Sequence, residues 1–404
     1  MMKKAIVAAL SVLAAGSPWA ADGTPAAADA QLIKQGEYLS RAGDCIACHT
    51  AKDGKPFAGG LGIESPLGTI YSTNITPDKD TGIGNYTLED FDRAVRHGVA
   101  RDGHSLYPAM PYTAYAKVTP DDVKALYAYF MHGVEPVKQA NKDTDITWPL
   151  SMRWPLGVWR WMFAPDVATA PVSATPANDA DKQAPLRGQY LVEGLGHCST
   201  CHTPRGFALQ EKALTDADGS AFLSGGVVEG WLAKNLRGDM ADGLGSWSKE
   251  DIAAFLKSGR NGHSAAFGGM AQVVQDSTQH LSDADVNAIP VYLKSLPPVN
   301  KDATRPLAYN DTVPQALRTG KDTSDGAMTF LNNCAACHRS TGKGYAETFP
   351  QLALSSTVNS ADPASLIHIV LKGAQMPGTT AAPTAYAMPG FDWRLTDKEV
   401  ADVV

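Results

Sequence analysis

The sequence predicts an all-α protein made of three tandem helical units joined by irregular linkers. Three observations predict it. A Cys-x-x-Cys-His motif occurs three times, as Cys45/Cys48/His49, Cys198/Cys201/His202 and Cys334/Cys337/His338, and it uses all six cysteines. A short helix-like segment carrying a glycine and an aromatic residue precedes each motif. Two further helical segments with clear start signals follow each motif, in the same order all three times.

The elements read as follows along the chain. Lys3 and Lys4 precede an 11-residue apolar run, Ala5 to Ala15, which is too short to span a bilayer. Small residues around Ala20 and Ala21 follow, so residues 1–21 read as a signal peptide of an exported chain. The three units are expected over residues 30–135, 182–297 and 319–404. Their leading helices carry Gly36 with Tyr38, Gly188 with Tyr190, and Gly326 with Phe330. Glycine is poor inside a helix, so its presence predicts close approach of a second helix. The second helices start at Thr87, Ser248 and Asp362 as N-caps and end at Gly98, Gly259 and Gly373, 11 residues later each time. The last helices start at Thr119, Ser282 and Thr396, each with an acid three residues on: Asp122, Asp285 and Glu399. Tyr127, Tyr129 and Tyr292 on the last helices are placed to meet the leading ones.

Between the units lie a Trp-rich connector and linker, residues 136–181, and a second linker, residues 298–318. Ala170 to Pro185 is rich in Ala, Pro and Asp, the composition of a flexible linker. Trp148, Trp154, Trp159 and Trp161 fall close together in the connector. They are expected to pack it against the first unit, with a docking surface or a membrane-interface role as alternatives.

Apolar content of 44% is that of an ordinary globular chain, and a net charge of −7 with a pI of about 5.8 argues against nucleic-acid binding, which wants a basic face.

The motif decides the chemistry. The three copies are 153 and 136 residues apart, whereas a structural zinc site takes four ligands, usually from two motifs near in sequence. A redox dithiol does not need the following histidine. Cys-x-x-Cys-His is the attachment signature of c-type haem. Two thiols on one turn add to the two haem vinyl groups, and the next residue offers its imidazole to the iron. Three covalently bound haems c are therefore expected.

The opposite iron face is commonly closed by methionine in electron-transfer cytochromes, which raises the potential. The loop before each last helix offers one candidate: Met110, 9 residues before Thr119; Met270, 12 before Ser282; and Met388, 8 before Thr396. Met376 also precedes a proline, but it lies 20 residues before Thr396 and only 3 after Gly373, so Met388 is preferred. His97, His104, His132, His197, His263, His280 and His368 read as surface or packing residues.

The order of parts resembles that of class I cytochrome c domains, three in tandem. Over nearly the whole mature chain it resembles the three-haem cytochrome c subunit of membrane-bound bacterial dehydrogenases. The stretches from Gly68 to Asp78, "VRHGV", "LYPAMPY", "ALYAYFMHGV", "WPLSMRWPL", "CHTPRGF" and "SAAFGGMA" carry the resemblance. It implies axial pairs His49–Met110, His202–Met270 and His338–Met388, and thioethers at Cys45, Cys48, Cys198, Cys201, Cys334 and Cys337. It also implies no catalytic residue here, a large catalytic subunit holding FAD or PQQ, and a small subunit. Electrons would pass to ubiquinone at the periplasmic side of the inner membrane. Within that family the gluconate 2-dehydrogenase subunit is the preferred reading. The quinoprotein alcohol dehydrogenase subunit and the sorbitol and fructose dehydrogenase subunits are alternatives. Family members continue beyond the position of Val404, and their extension contributes to membrane attachment. A fragment or a different anchor is expected here. The different-class alternative is a multihaem peroxidase or reductase, which needs an open iron position. Three methionine candidates argue against it.

Overall fold

A computed structural model describes residues 27–167, 180–302 and 304–404. The signal-peptide reading and part of the first linker lie outside the described residues. The first segment contains α1 (Ala27–Ala42), α2 (Cys45–Cys48), β1 (Gly62–Ser65), β2 (Gly68–Tyr71), α3 (Leu88–His97), α4 (Tyr112–Tyr115) and α5 (Pro120–His132). The connector adds β3 (Asp145–Ile146) and α6 (Trp154–Phe163). The second segment contains α7 (Ala180–Gln189), which continues as a π-helix over Tyr190–Leu195. It goes on with α8 (Ser199–His202), β4 (Gly226–Val228), β5 (Trp231–Ala233), α9 (Lys249–Ser258), α10 (Gly269–Asp276) and α11 (Asp283–Leu293). After α12 (Thr312–Arg318), the third segment contains α13 (Asp325–Asn333), α14 (Ala335–His338), α15 (Ala364–Lys372), β6 (Ala374–Gln375), β7 (Ala387–Met388) and α16 (Asp397–Val403).

The all-α expectation is corrected by these strands. Each motif-bearing segment carries a small antiparallel sheet: β1–β2–β3, β4–β5 and β6–β7. The strands have two to four residues, too short for a period-2 pattern to stand out in loops rich in glycine and proline. The β4–β5 turn has Glu229 at φ 51° and Gly230 at φ 77°. Positive φ at both central residues matches the right-handed twist of a two-residue hairpin.

The leading and last helices cross at the predicted glycines. A methyl group on Gly36 would sit 1.9 Å from the Ala125 carbonyl oxygen. On Gly188 it would sit 2.1 Å from that of Ala288, and on Gly326 2.0 Å from that of Asp402. Only glycine permits these crossings. Thr87 with Asp90 and Ser248 with Asp251 form full capping boxes on α3 and α9. Helix α15 begins later than expected, at Ala364, whose N–H donates to the Asp362 carboxylate at 2.9 Å.

On the last helices, Thr396 and Glu399 cap α16 reciprocally. Thr119 and Ser282 cap α5 and α11, but their acids are diverted to the junction between the first two segments. Tyr190 O–H donates to Asp122 at 2.5 Å, and Tyr38 O–H donates to Asp285 at 2.5 Å. The exchange is reciprocal: each segment's leading tyrosine binds the other's last helix. Gln35 supports Asp122 at 3.1 Å, and Arg187 grips Asp285 with two bonds of 2.7 Å. One apolar core runs across this junction, from Leu39 and Phe91 through Tyr190 and Leu195 to Leu293.

The third segment joins differently. Arg260 donates to the carbonyls of Glu347, Ala382 and Thr384. The Leu232 N–H donates to Ser365 at 2.6 Å, and the rings of Trp231 and His368 stack at 4.1 Å.

The Asp285 junction is acid-sensitive. Burial pushes its carboxyl up, but the hydrogen bonds and charge of Arg187 and the bond from Tyr38 outweigh this and hold it below the usual carboxylate range. A depressed folded value contributes stability above the unfolded pKa of about 3.9, and that stability is lost as pH falls through the folded value. Asp285→Asn is therefore expected to lower the urea midpoint at pH 6, with the gap from wild type shrinking below about pH 4. A gap constant down to pH 2 would refute the assignment.

Candidate haem sites

Each motif folds as a single helical turn, α2, α8 and α14, which sets both cysteines of a pair on one face of about one turn. Asp44 enters α2 in the left-handed region at φ 51°, and His197 precedes Cys198 at φ 37°. No two of the six cysteines pair as a disulfide.

The histidines share one arrangement. The Nδ1–H of His49 donates to the Thr73 carbonyl at 2.7 Å, that of His202 to Lys234 at 2.7 Å, and that of His338 to Pro350 at 2.9 Å. Bonding to a carbonyl fixes the proton on Nδ1 and leaves the Nε2 lone pair free. Burial lowers the pKa of all three rings, which keeps them neutral. Neutral imidazoles with oriented Nε2 atoms and paired thiols on one turn are the donor set that covalent haem requires. The residues present fit the group.

The three carbonyls are the functional groups that sequence reasoning missed. They lie 24, 32 and 12 residues beyond their histidines. A signal was present for two of them. "TNIT" and "KNLR" both place an asparagine after the acceptor carbonyl. Asn74 Oδ1 accepts the Thr76 N–H and Asn235 Oδ1 accepts the Arg237 N–H, so the same turn holds both.

The methionine candidates sit on three different local structures. Met110 lies in a turn closed by its own N–H to Tyr107, and it packs on the shared core that Cys45 and Cys198 also border. Met270 is not in a loop but is the second residue of α10, entered through Gly268 at φ 55° against the Trp231 ring. Met388 lies on β7 opposite Ala374, and its carbonyl presses against Gly373 at the end of α15. Met376 belongs to the junction with the second segment. Its N–H bonds to Tyr386, and the adjacent Pro377 packs against Gly259. Other histidines have packing partners: His104 with Asp102, His197 with Tyr115, His263 with Trp247, and His368 with Trp231.

The tryptophan expectation is met by Trp159 alone. Its Nε1–H donates to the Ala208 carbonyl at 2.8 Å, and its ring meets Tyr112 edge-on. Trp148, Trp154 and Trp161 are exposed. Among the described residues no helix is long and apolar enough to cross a membrane.

A chain that offers paired thiols and oriented neutral imidazoles is a c-type cytochrome, and residues 323–404 match the protein family described as cytochrome c. That match covers the third segment only, so the expectation of three tandem all-α cytochrome domains is replaced by three motif-bearing segments of helices with small sheets. The chain is 57% identical to the gluconate 2-dehydrogenase cytochrome c subunit of Pantoea cypripedii, over 92% of this chain and 84% of that protein. It is 54% identical to the cytochrome c subunit of the quinone alcohol dehydrogenase of Gluconobacter oxydans, over 93% and 78%. It is 40% identical to the fructose dehydrogenase cytochrome subunit of Gluconobacter japonicus, over 94% and 79%. It belongs to the family of cytochrome c subunits of dehydrogenase complexes, which bind haem c covalently and transfer electrons.

Proposed function

We propose that this chain is the electron-transfer subunit of a flavin-dependent gluconate 2-dehydrogenase, carrying three haems c and passing electrons from the catalytic subunit to ubiquinone at the periplasmic face of the inner membrane. The observation that carries the haem count is the repeated Nδ1–carbonyl bond of His49, His202 and His338. Bound haem supplies a one-electron ferrous–ferric couple. The chain's own residues do the rest. Cys45, Cys48, Cys198, Cys201, Cys334 and Cys337 attach the groups. The carbonyls of Thr73, Lys234 and Pro350 hold the histidine rings in one tautomer. Met110, Met270 and Met388 would hold the irons as thioether ligands. Substrate chemistry belongs to the partner, where FAD is expected.

The preference for gluconate rests on the similarity to the Pantoea protein. The complex purified from membranes and given gluconate without oxygen is expected to show ferrous haem absorbance, with a pyridine haemochrome assay returning three haems per chain. Reduction by ethanol but not gluconate would move the chain to a quinone-linked alcohol dehydrogenase. Fewer than three haems would overturn the ligand assignment. Strong carbon monoxide binding to the reduced protein would count against three closed iron sites.

A further inference from the structure

Three successive residues, Gly230 to Leu232, tie the second segment to α15 of the third. The Trp231 ring lies 4.1 Å from that of His368, with 19° between the planes. The Leu232 N–H donates to the hydroxyl of Ser365, which is fully buried. A methyl group on Gly230 would sit 3.4 Å from Nδ1 of His368.

The same strand reaches both sides of the second haem site. β5 leads directly into Lys234, whose carbonyl accepts the Nδ1–H of His202 at 2.7 Å. On the other side the Trp231 ring meets that of Phe267 at 5.5 Å and takes the place of a side chain at Gly268, where a methyl group would lie 2.9 Å from the indole. Gly268 is the entry to α10, two residues before Met270.

That entry needs outside support. No side chain caps the start of α10, whereas Thr87, Thr119, Ser248, Ser282 and Thr396 cap α3, α5, α9, α11 and α16. A first turn without a cap leaves its N–H groups without a side-chain acceptor, so packing has to hold it. The indole supplies that packing. The other two sites lack it: the position three before the acceptor carbonyl is Trp231 in the second segment, Ile70 in the first and Glu347 in the third.

We propose that Trp231 is a positioning residue for the second haem: its indole, clamped by His368 of the third segment, fixes both the Lys234 carbonyl behind His202 and the entry to Met270. Docking of the third segment thereby sets the axial geometry of the second site. The inference deepens the functional reading above and rests on its assignment of His202 and Met270 as axial ligands. Groups that orient ligands without touching the metal tune its properties, and a thioether held in place keeps the potential high.

The test is a mediated redox titration of the haem-loaded chain, with the methionine-to-iron charge-transfer band recorded on the oxidised protein. Met270→Ala and Met388→Ala mark the midpoints of the second and third haems. Trp231→Leu is expected to weaken the band by up to the share of one haem and to lower one midpoint, the one that Met270→Ala moves. His368→Ala is expected to lower the same midpoint by a smaller shift, and His368→Phe, which still offers a ring to stack, to keep the wild-type value. If Trp231→Leu does not fold, the two His368 variants decide. Bands and midpoints equal to wild type in Trp231→Leu or His368→Ala would overturn the proposal. So would a lower urea midpoint in His368→Ala with all potentials unchanged, which would make the stack a joint between segments and nothing more. A shift confined to the midpoint marked by Met388→Ala would overturn it too, because α15 also ends at Gly373 against the Met388 carbonyl. The titration uses no substrate, so failure of gluconate to reduce the haems would sink the functional reading and leave this one standing. An unchanged spectrum in Met270→Ala would sink the ligand assignment and this inference with it.

Discussion

Met388→Ala is expected to turn the third haem into a high-spin or differently ligated centre, while Met376→Ala leaves its spectrum unchanged. Both residues precede a proline and both lie between α15 and α16, so the Met-Pro step by itself leaves two candidates within 12 positions. Their structural surroundings differ. Met376 is followed by Pro377, whose ring fills the space beside Gly259 of the second segment. Its position is already used to join the two segments, together with the Arg260 bonds to Ala382 and Thr384. Met388 is held by β7 against β6 and by contact of its carbonyl with Gly373, within the third segment itself. A thioether ligand raises the potential of a histidine-bound haem, so its loss also lowers the midpoint of one haem of the set. The measurement is the methionine-to-iron charge-transfer band of the oxidised protein with a potentiometric titration of each variant. An unchanged band and midpoint in Met388→Ala would sink the assignment, and loss of the band in Met376→Ala would move it.

Much of the site was legible because its chemistry is local. Cys-x-x-Cys-His places five consecutive positions on one turn, and nothing outside the turn is needed to read it. The crossing glycines were legible for a related reason: glycine mid-helix costs stability, so Gly36, Gly188 and Gly326 announce a close neighbour. The partners were less legible, marked only by the asparagine turn after Thr73 and after Lys234. The carbonyls of Thr73, Lys234 and Pro350 are backbone groups, and any residue type could supply them. The small sheets escaped for want of length, as strands of two to four residues carry too few positions to alternate. Asp122 and Asp285 misled in a more instructive way. Both sit where a capping acid belongs, and the sequence reads them as local. They bond Tyr190 and Tyr38 instead, because leaving the buried Tyr190 phenol and the two buried carboxylates unpaired across the junction would cost more than a second bond at the helix end. The exposed tryptophans follow the same logic in reverse: residue type predicts burial, and only the contacts of Arg153 with Tyr107 and of Arg160 with Gly98 and Ser105 show which face of α6 is taken.

Lys117→Met is expected to destabilise the joined first and second segments by about 3–5 kcal/mol, the cost of leaving a buried carboxylate without its partner. Lys117 and Glu193 meet at 3.1 Å with 7% and 2% of their side chains exposed. Lys117 also donates to the Leu214 carbonyl at 2.7 Å, while Glu193 accepts from Gln189 at 3.0 Å and from the Tyr292 hydroxyl. Glu193 lies in the π-helical stretch after α7, and Lys117 lies just before the cap of α5, so the pair ties the two segments at the base of their shared core. An exposed pair would contribute at most about 1 kcal/mol, since water screens the charges and the side chains lose freedom. Here the attraction acts where water is excluded, and breaking it leaves Glu193 with only neutral donors. Removing both charges should hurt less than removing one. Lys117→Met combined with Glu193→Gln keeps the Tyr292 and Gln189 contacts within reach and leaves no buried charge, so the double-mutant cycle should show a coupling of at least about 1 kcal/mol. Urea unfolding followed by haem absorbance measures both variants under one set of conditions. A single-variant loss below about 1 kcal/mol would show that the pair behaves as a surface bridge. The expected larger loss would show that the first two segments unfold as one body, in which damage at Lys117 reaches the surroundings of both Cys45 and Cys198.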